Sequence, residues 1–299
     1  MAGGGGDGGL LLLVLIWGAN FAIVKRALDA FAPLAFNSLR FLLASAFVFA
    51  ALHFRGALRM PRGDWLPLLG LGILGNVVYQ LLFVLGIDLT RAGNASLILA
   101  LIPIITATLS VAVGHERLSP LVWVGAVGSV VGVVLVSGEA LRLEGDPRGL
   151  LGDLLMLAAA FGWAGYTVGS RQLIVRHGSL TVTAWTMWLG SLVLVPIGIP
   201  SLLRQDWQAV DPVAWGGLVY SACLSIGLAY LLWYRQVERI GNTRTSVYVN
   251  MAPLVALTVA AVWLGERLTP LAVLGAACTI GGVLLVRLRG LVSNRLEQR

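Results

Sequence analysis

Apolar residues come in long runs separated by short polar punctuation. Residues 11–24 read LLLVLIWGANFAIV, residues 42–52 LLASAFVFAAL and residues 122–136 VWVGAVGSVVGVVLV. Such runs suit bilayer spans, which need roughly 20 apolar residues each. Runs bounded by charges, Gly and Pro predict ten helices, over 10–27, 33–52, 65–87, 93–113, 120–137, 150–170, 179–200, 212–234, 243–263 and 270–288. Most connections are short, so neighbouring spans are antiparallel. The longest are 53–64, 138–149 and 201–211. The expected fold class is therefore an all-α integral membrane protein.

The pattern repeats at long range. GHERLSP (114–120) returns as GERLTP (265–270). With Glu116 on Glu266, Pro103 falls on Pro253, Gly125 on Gly275 and Gly132 on Gly282. Each half holds five spans. Five is odd, so the second half enters the membrane opposite to the first. The expected architecture is two inverted-topology five-helix repeats, a layout of many secondary transporters with the substrate site near the midplane between them. The expected segments are a flexible start (1–9), a first repeat (10–137), a periplasmic connection (138–149), a second repeat (150–289) and a cytoplasmic tail (290–299). A duplicated bundle serving as a membrane enzyme or scaffold is the alternative.

Composition strengthens the membrane reading. The 299 residues are 58% hydrophobic and 12% charged, with mean hydropathy +0.87. That is about half the charged share usual in soluble chains. The net charge of +7 is read as basic residues retained in the cytoplasm, not as a nucleic-acid surface. With a cytoplasmic N-terminus, thirteen Arg fall inside against seven Lys and Arg outside. This favours both termini inside and a bacterial inner-membrane location. Lys25 and Arg26 count against it. The start MAGGGGDGG lacks the basic stretch of a cleavable signal. Cys223 and Cys278 lie in apolar runs and are read as small core residues.

ALIPIITATLSVAVGHERLSPLVWVGAVGSVVGVVLV and NMAPLVALTVAAVWLGERLTPLAVLGAACTIGGVLLV resemble the two halves of an EamA-type transporter of the drug/metabolite transporter superfamily. The proline, the G-E-R-L-[ST]-P turn and the glycine-rich helix that follows carry the likeness, which spans essentially the whole chain. The overall pattern is also similar to the YddG-type aromatic amino-acid exporters in that group. The resemblance implies a ten-helix inner-membrane carrier and amino acids or related metabolites as cargo. It supplies no catalytic set.

Polar and aromatic residues inside spans point to a pathway. Trp17 and Asn20 share a face of the first span. Shifted by 146 they fall on Trp163 and Tyr166 of the sixth. Asn76, Tyr79 and Gln80 are placed on one face of the third span, Tyr230 and Tyr234 on one of the eighth, and Asn250 inside the ninth. The candidate substrate-binding residues are Trp17, Asn20, Asn76, Tyr79, Gln80, Trp163, Tyr166, Tyr230 and Asn250. Any one Trp or Tyr could instead be packing or an interfacial belt residue, as Trp65, Trp123, Trp207 and Trp215 near span ends are read. Pro103 and Pro253 lie mid-span, where proline kinks a helix. They are candidate hinges, with a static bend as the alternative.

Arg40 is the basic residue within a span. It could bind a substrate carboxylate or pair with a carbonyl, and the structural reading is preferred. Glu116 and Glu266 are read as parts of structural turns, with Ser119 or Thr269 as N-cap and Pro120 or Pro270 at the first helical position. Asp153 is read as opening the sixth helix, where the helix dipole favours an acid. His53, His115 and His177 fall in loops. The glycines of the fifth and tenth spans are read as a packed scaffold. Homodimerisation through those faces is the alternative, and a monomer is expected.

No Ser/His pair, His/Asp cluster or intramembrane acid pair offers an intramembrane enzyme its chemistry. A cation-drug exporter would want a mid-membrane acid, and a phosphate-ester carrier several pathway Lys or Arg. The expected function is export of neutral amino acids, aromatic ones included, by alternating access and facilitated diffusion. No cofactor or metal is called for. The runners-up are an intramembrane enzyme and a drug/metabolite exporter with another substrate.

Overall fold

The computed structural model describes residues 4–53, 62–112, 147–230 and 251–267, with parts of 124–135, 232–233 and 269–282. These residues form helices, turns and bends, and no strand occurs among them. A chain in hydrocarbon must satisfy its backbone hydrogen bonds internally, and helices do this within each segment. The helices are α1 (Gly4–Leu28), α2 (Pro33–His53), α3 (Trp65–Leu89), α4 (Ala92–Leu99), α5 (Ile102–Ala112), α6 (Pro147–His177), α7 (Ser179–Arg204), α8 (Pro212–Leu228) and α9 (Ala252–Trp263). Five stretches among the described residues are long and apolar enough to cross a bilayer: Gly8–Leu28, Pro33–His53, Trp65–Leu89, Pro147–His177 and Leu180–Arg204. On outer faces Leu192 and Val262 are 72% and 84% exposed. Apolar side chains so presented suit lipid better than water.

Several boundaries differ from the sequence reading. Helix α1 already runs from Gly4, inside the start expected to be flexible. Helix α6 continues past residue 170 to His177, where Gly178, at φ +80°, breaks it. Pro196 and Pro200 sit within α7 without ending it. The fourth predicted span is two helices, because Ala100 and Leu101 form a turn between α4 and α5. Pro103 therefore lies in the first turn of α5. Pro253 lies in the first turn of α9, directly after a turn at Met251. In a first helical turn the missing N–H of proline costs nothing. The expected kink within a continuous helix is thus an interruption in the fourth span. In the ninth, Pro253 stands at a helix start.

Helices α3 and α8 each contain a π-helical stretch, at Ile73–Val78 and Tyr220–Leu228. Helix α3 packs on α6 and α7, and α8 packs on α1 and α2. Helices α4 and α5 pack on α6, α9 on α1, and α2 on α7. Exchanging the two halves maps these pairings onto one another. Ser45 Oγ and Ser191 Oγ, which the 146-residue shift relates, lie 2.9 Å apart. At the α3–α7 crossing a Cβ on Gly72 would come 2.6 Å from the Thr186 carbonyl oxygen, so only glycine fits.

Ion pairs and caps tie together one end of the bundle. Arg26 Nη2 donates to Asp211 Oδ2 at 2.7 Å, Lys25 Nζ to the Asp88 carbonyl at 2.6 Å, and Ala32 N–H to Gln205 Oε1 at 2.7 Å. The Asp211 carboxyl is held below its ordinary value by the Ala214 N–H it caps and then by Arg26. At this end α1 and α3 finish while α6 and α8 begin. Equivalent helices of the two halves therefore run in opposite directions. At the other end Asp64, just before α3, meets His177 Nε2 at 2.7 Å and Arg176 at 3.5 Å, at the end of α6.

Candidate functional site

A chain of rings crosses the middle of the bundle. From α6, Trp163 meets Tyr79 of α3 at 4.9 Å, Tyr166 at 5.3 Å and Tyr230, just past α8, at 6.5 Å between centroids. Tyr230 also meets Trp17 of α1 at 6.2 Å, edge to face. The two tryptophans related by the 146-residue shift thus flank one tyrosine. Phe83, one turn beyond Tyr79, and Phe21 extend the chain in one direction, and Trp233 extends it past Trp17. These three rings are absent from the sequence candidates. The i,i+4 spacing of Phe83 from Tyr79 is the signal that could have found it.

Hydrogen bonds fix several rings. The Trp17 indole donates to the Ser225 carbonyl of the α8 π-helical stretch at 2.9 Å. The Tyr166 hydroxyl lies 3.1 Å from Thr186 Oγ1, which donates to the Thr183 carbonyl at 3.1 Å. A Cβ on Gly75 would meet the Tyr166 ring at 2.6 Å, so α3 presses directly on that ring.

Beside the rings lies a buried polar knot. Arg40 of α2 donates to Asn37 Oδ1 at 2.9 Å, to Gln80 Oε1, and to Ser221 Oγ at 3.3 Å. It joins α2, α3 and α8. Gln80 was a sequence candidate; Asn37 and Ser221 were not. Asn37 lies three residues before Arg40 on one helix face, a spacing visible in the sequence.

The remaining candidates are scattered. Asn76 is buried, but it faces α7, where a Cβ on Gly190 would come 2.7 Å from Asn76 Cβ. The shared face expected for Asn76, Tyr79 and Gln80 is broken by the π-helical turn between them. Asn20 is buried and its Oδ1 has no partner among the described residues. Asn250, Tyr234, Glu116, His115 and Trp123 lie outside the described residues.

A cavity of about 340 Å³ opens at the end where α1 and α3 finish, lined by Lys25, Asp29, Thr90, Arg91, Leu264 and Glu266. Its wall mixes both signs of charge. Glu266 is part of a built feature. Its two carboxylate oxygens accept the Ala92 N–H at 2.7 Å and the Gly93 N–H at 3.1 Å. No side chain from the α4 N-cap position does this. The G-E-R-L turn therefore caps a helix of the other half of the chain. Asp153 also differs from expectation. It lies two turns into α6, is 4% exposed, and accepts a hydrogen bond from the Thr90 hydroxyl. Among the described residues no group of three or more His, Cys, Asp or Glu is placed to hold a metal.

Comparison with known proteins follows the same division of the chain. The EamA-like transporter family matches residues 5–138 and again 150–288. A probable terminal-alkyne amino-acid exporter of Streptantibioticus cattleyicolor is 30% identical over 289 residues, covering 96% of this chain and 94% of that protein. A probable amino-acid metabolite efflux pump of Salmonella typhimurium is 31% identical over 281 residues, 91% of each chain. A crystal structure 23% identical to this chain superposes with a TM-score of 0.67 over 97% of both chains, and so shares its fold.

Proposed function

The chain belongs to the EamA-like transporter family, a multi-pass membrane transporter rather than an enzyme, and from that premise we propose that it exports neutral amino acids, aromatic ones included, across a bacterial inner membrane. The observation that carries this reading is the ring chain in which Trp17 and Trp163, one from each half, flank Tyr230. Ring contacts contribute about 0.5–1.5 kcal/mol per pair beyond burial, so such a wall favours an aromatic or large apolar side chain. The two relatives described above are named for amino-acid export, which supports the cargo class. Two inverted five-helix repeats rock about the site by alternating access. Both termini are cytoplasmic and the protein works as a monomer in lipid. Cargo moves down its own gradient, without a cofactor.

Flux of labelled phenylalanine, threonine and a sugar phosphate across proteoliposomes, with and without a pH gradient, tests this. Saturable phenylalanine flux that the pH gradient leaves unchanged is expected, with sugar-phosphate flux at background. Sugar-phosphate flux without amino-acid flux would overturn the substrate class. Phenylalanine accumulation driven by the pH gradient would overturn facilitated diffusion.

A further inference from the structure

Arg40 lies seven residues beyond Pro33, about 10 Å into the bundle along α2. It is 2% exposed. A guanidinium carries five N–H donors. Its hydrogen bonds go to Asn37, Gln80 and Ser221, and its Nε–H has no partner. The three acceptors are neutral. Among the described residues no carboxylate lies within ion-pair distance of it. The rings of Phe36, Phe41 and Phe83 stand 5.6, 5.7 and 5.4 Å from the guanidinium carbon.

A buried charge without a counter-ion is expensive, and ring faces offset only part of that cost. A neutral side chain could occupy this place more cheaply. The other half has one there. Under the 146-residue shift Arg40 corresponds to Thr186 and Asn37 to Thr183. There the Tyr166 hydroxyl, the Thr186 hydroxyl and the Thr183 carbonyl form an uncharged network. Equivalent positions of the two halves thus carry a cation once and a hydroxyl once. The repeated frame alone does not require the cation.

We propose that Arg40 anchors the carboxylate of the transported molecule. This rests on the amino-acid reading above and deepens it. The carboxylate takes the unpartnered Nε–H and displaces an amide oxygen of Asn37 or Gln80 from Nη2. An anion in that place supplies the missing counter-charge, and it meets the guanidinium fork in the geometry arginine favours. The Phe83 ring stands 5.4 Å from the guanidinium carbon and 6.0 Å from the Tyr79 ring, so a molecule held at Arg40 extends its side chain toward Tyr79, Trp163 and Tyr230. The equivalent position of the second half is Thr186, so bound cargo has a fixed direction inside a symmetric frame.

The test titrates purified protein with L-phenylalanine and with L-phenylalaninamide, which keeps ring and amine but has no carboxylate. Affinity is read by thermal shift. Wild type should bind phenylalanine about 10–100-fold more tightly, the range for a charge-assisted hydrogen bond. Arg40→Gln should bring the ratio of the two affinities to about one. Equal wild-type affinities for the two ligands overturn the anchor and leave the amino-acid reading standing. A full wild-type ratio in Arg40→Gln also overturns it. If Arg40→Gln does not fold, Arg40→Lys is read instead. A point charge without the fork should reduce the ratio about 10-fold, and an unchanged ratio overturns the anchor. Wild type that binds neither ligand removes the amino-acid reading itself.

Discussion

Glu266 satisfies two N–H groups at the start of α4 with one carboxylate. Its aim depends on Gly265, whose φ of +69° suits glycine. Losing a cap of this kind costs about 0.5–2 kcal/mol. Glu266→Ala should lower the melting temperature of the purified protein, and Glu266→Gln, which keeps one acceptor, by less. Equal melting temperatures for all three proteins would remove the capping role. At Trp163, truncation takes away contacts to three rings. Trp163→Ala should reduce phenylalanine flux more than threonine flux, and equal losses would make the residue structural. The two kinds of residue differ in how far the sequence reveals them. Trp17 and Trp163 are visible as a pair because the repeat places the same residue twice. The partner of Glu266 is invisible, since its contact joins groups more than 170 positions apart and the repeat says nothing about which half meets which.

At the scale of the element, apolar runs locate the spans well because hydrocarbon leaves few alternatives to a helix. Local irregularities are harder to see. A π-helical turn adds a residue to the ring of the backbone ladder, so the rule that residues three or four apart share a face fails across Ile73–Val78. That is why Gln80 joins the polar knot while Asn76 turns to α7. The prolines mislead in the opposite sense. Pro103 and Pro253 mark helix starts, where restoring an N–H by Pro→Ala would let the preceding turn join the helix. The double alanine variant should stay folded and transport more slowly; wild-type flux would dismiss these positions as hinges. The contact between the start of α3 and the end of α6 carries a pH dependence. Hydrogen bonding from His177, then the charge of Arg176, holds the Asp64 carboxyl below its ordinary 3.8. A depressed carboxyl stabilises the fold above the unfolded value, and that contribution fades as pH falls through the lower folded value. Hydrogen exchange at Trp65–Leu69 should therefore quicken, relative to the rest of α3, as pH drops below about 4. Asp64→Asn should remove this extra acid sensitivity, and a variant that keeps it would place the cause elsewhere.

For the whole molecule, the ends of the described helices give α1 and α3 directions opposite to those of α6 and α8. Which end faces the cytoplasm depends on charge counting. A reporter fused after Arg299 should be cytoplasmic and one inserted in 138–149 periplasmic; either result reversed would invert the assignment. Symmetry of this kind is legible because duplicated phrases survive in the chain. The one-sided cation is not, since a single Arg in an apolar run looks the same whether it is a strut or an anchor. Its place in the chain also bears on how the protein is made. Arg40 leaves the ribosome with Asn37 beside it, but Gln80 is translated forty residues later and Ser221 far beyond. A lone arginine at mid-helix costs about 2.5–3.5 kcal/mol to release sideways from the translocon into lipid. Retention of the second segment at the translocon until the third arrives, with the two entering the bilayer as a hairpin, would avoid that cost.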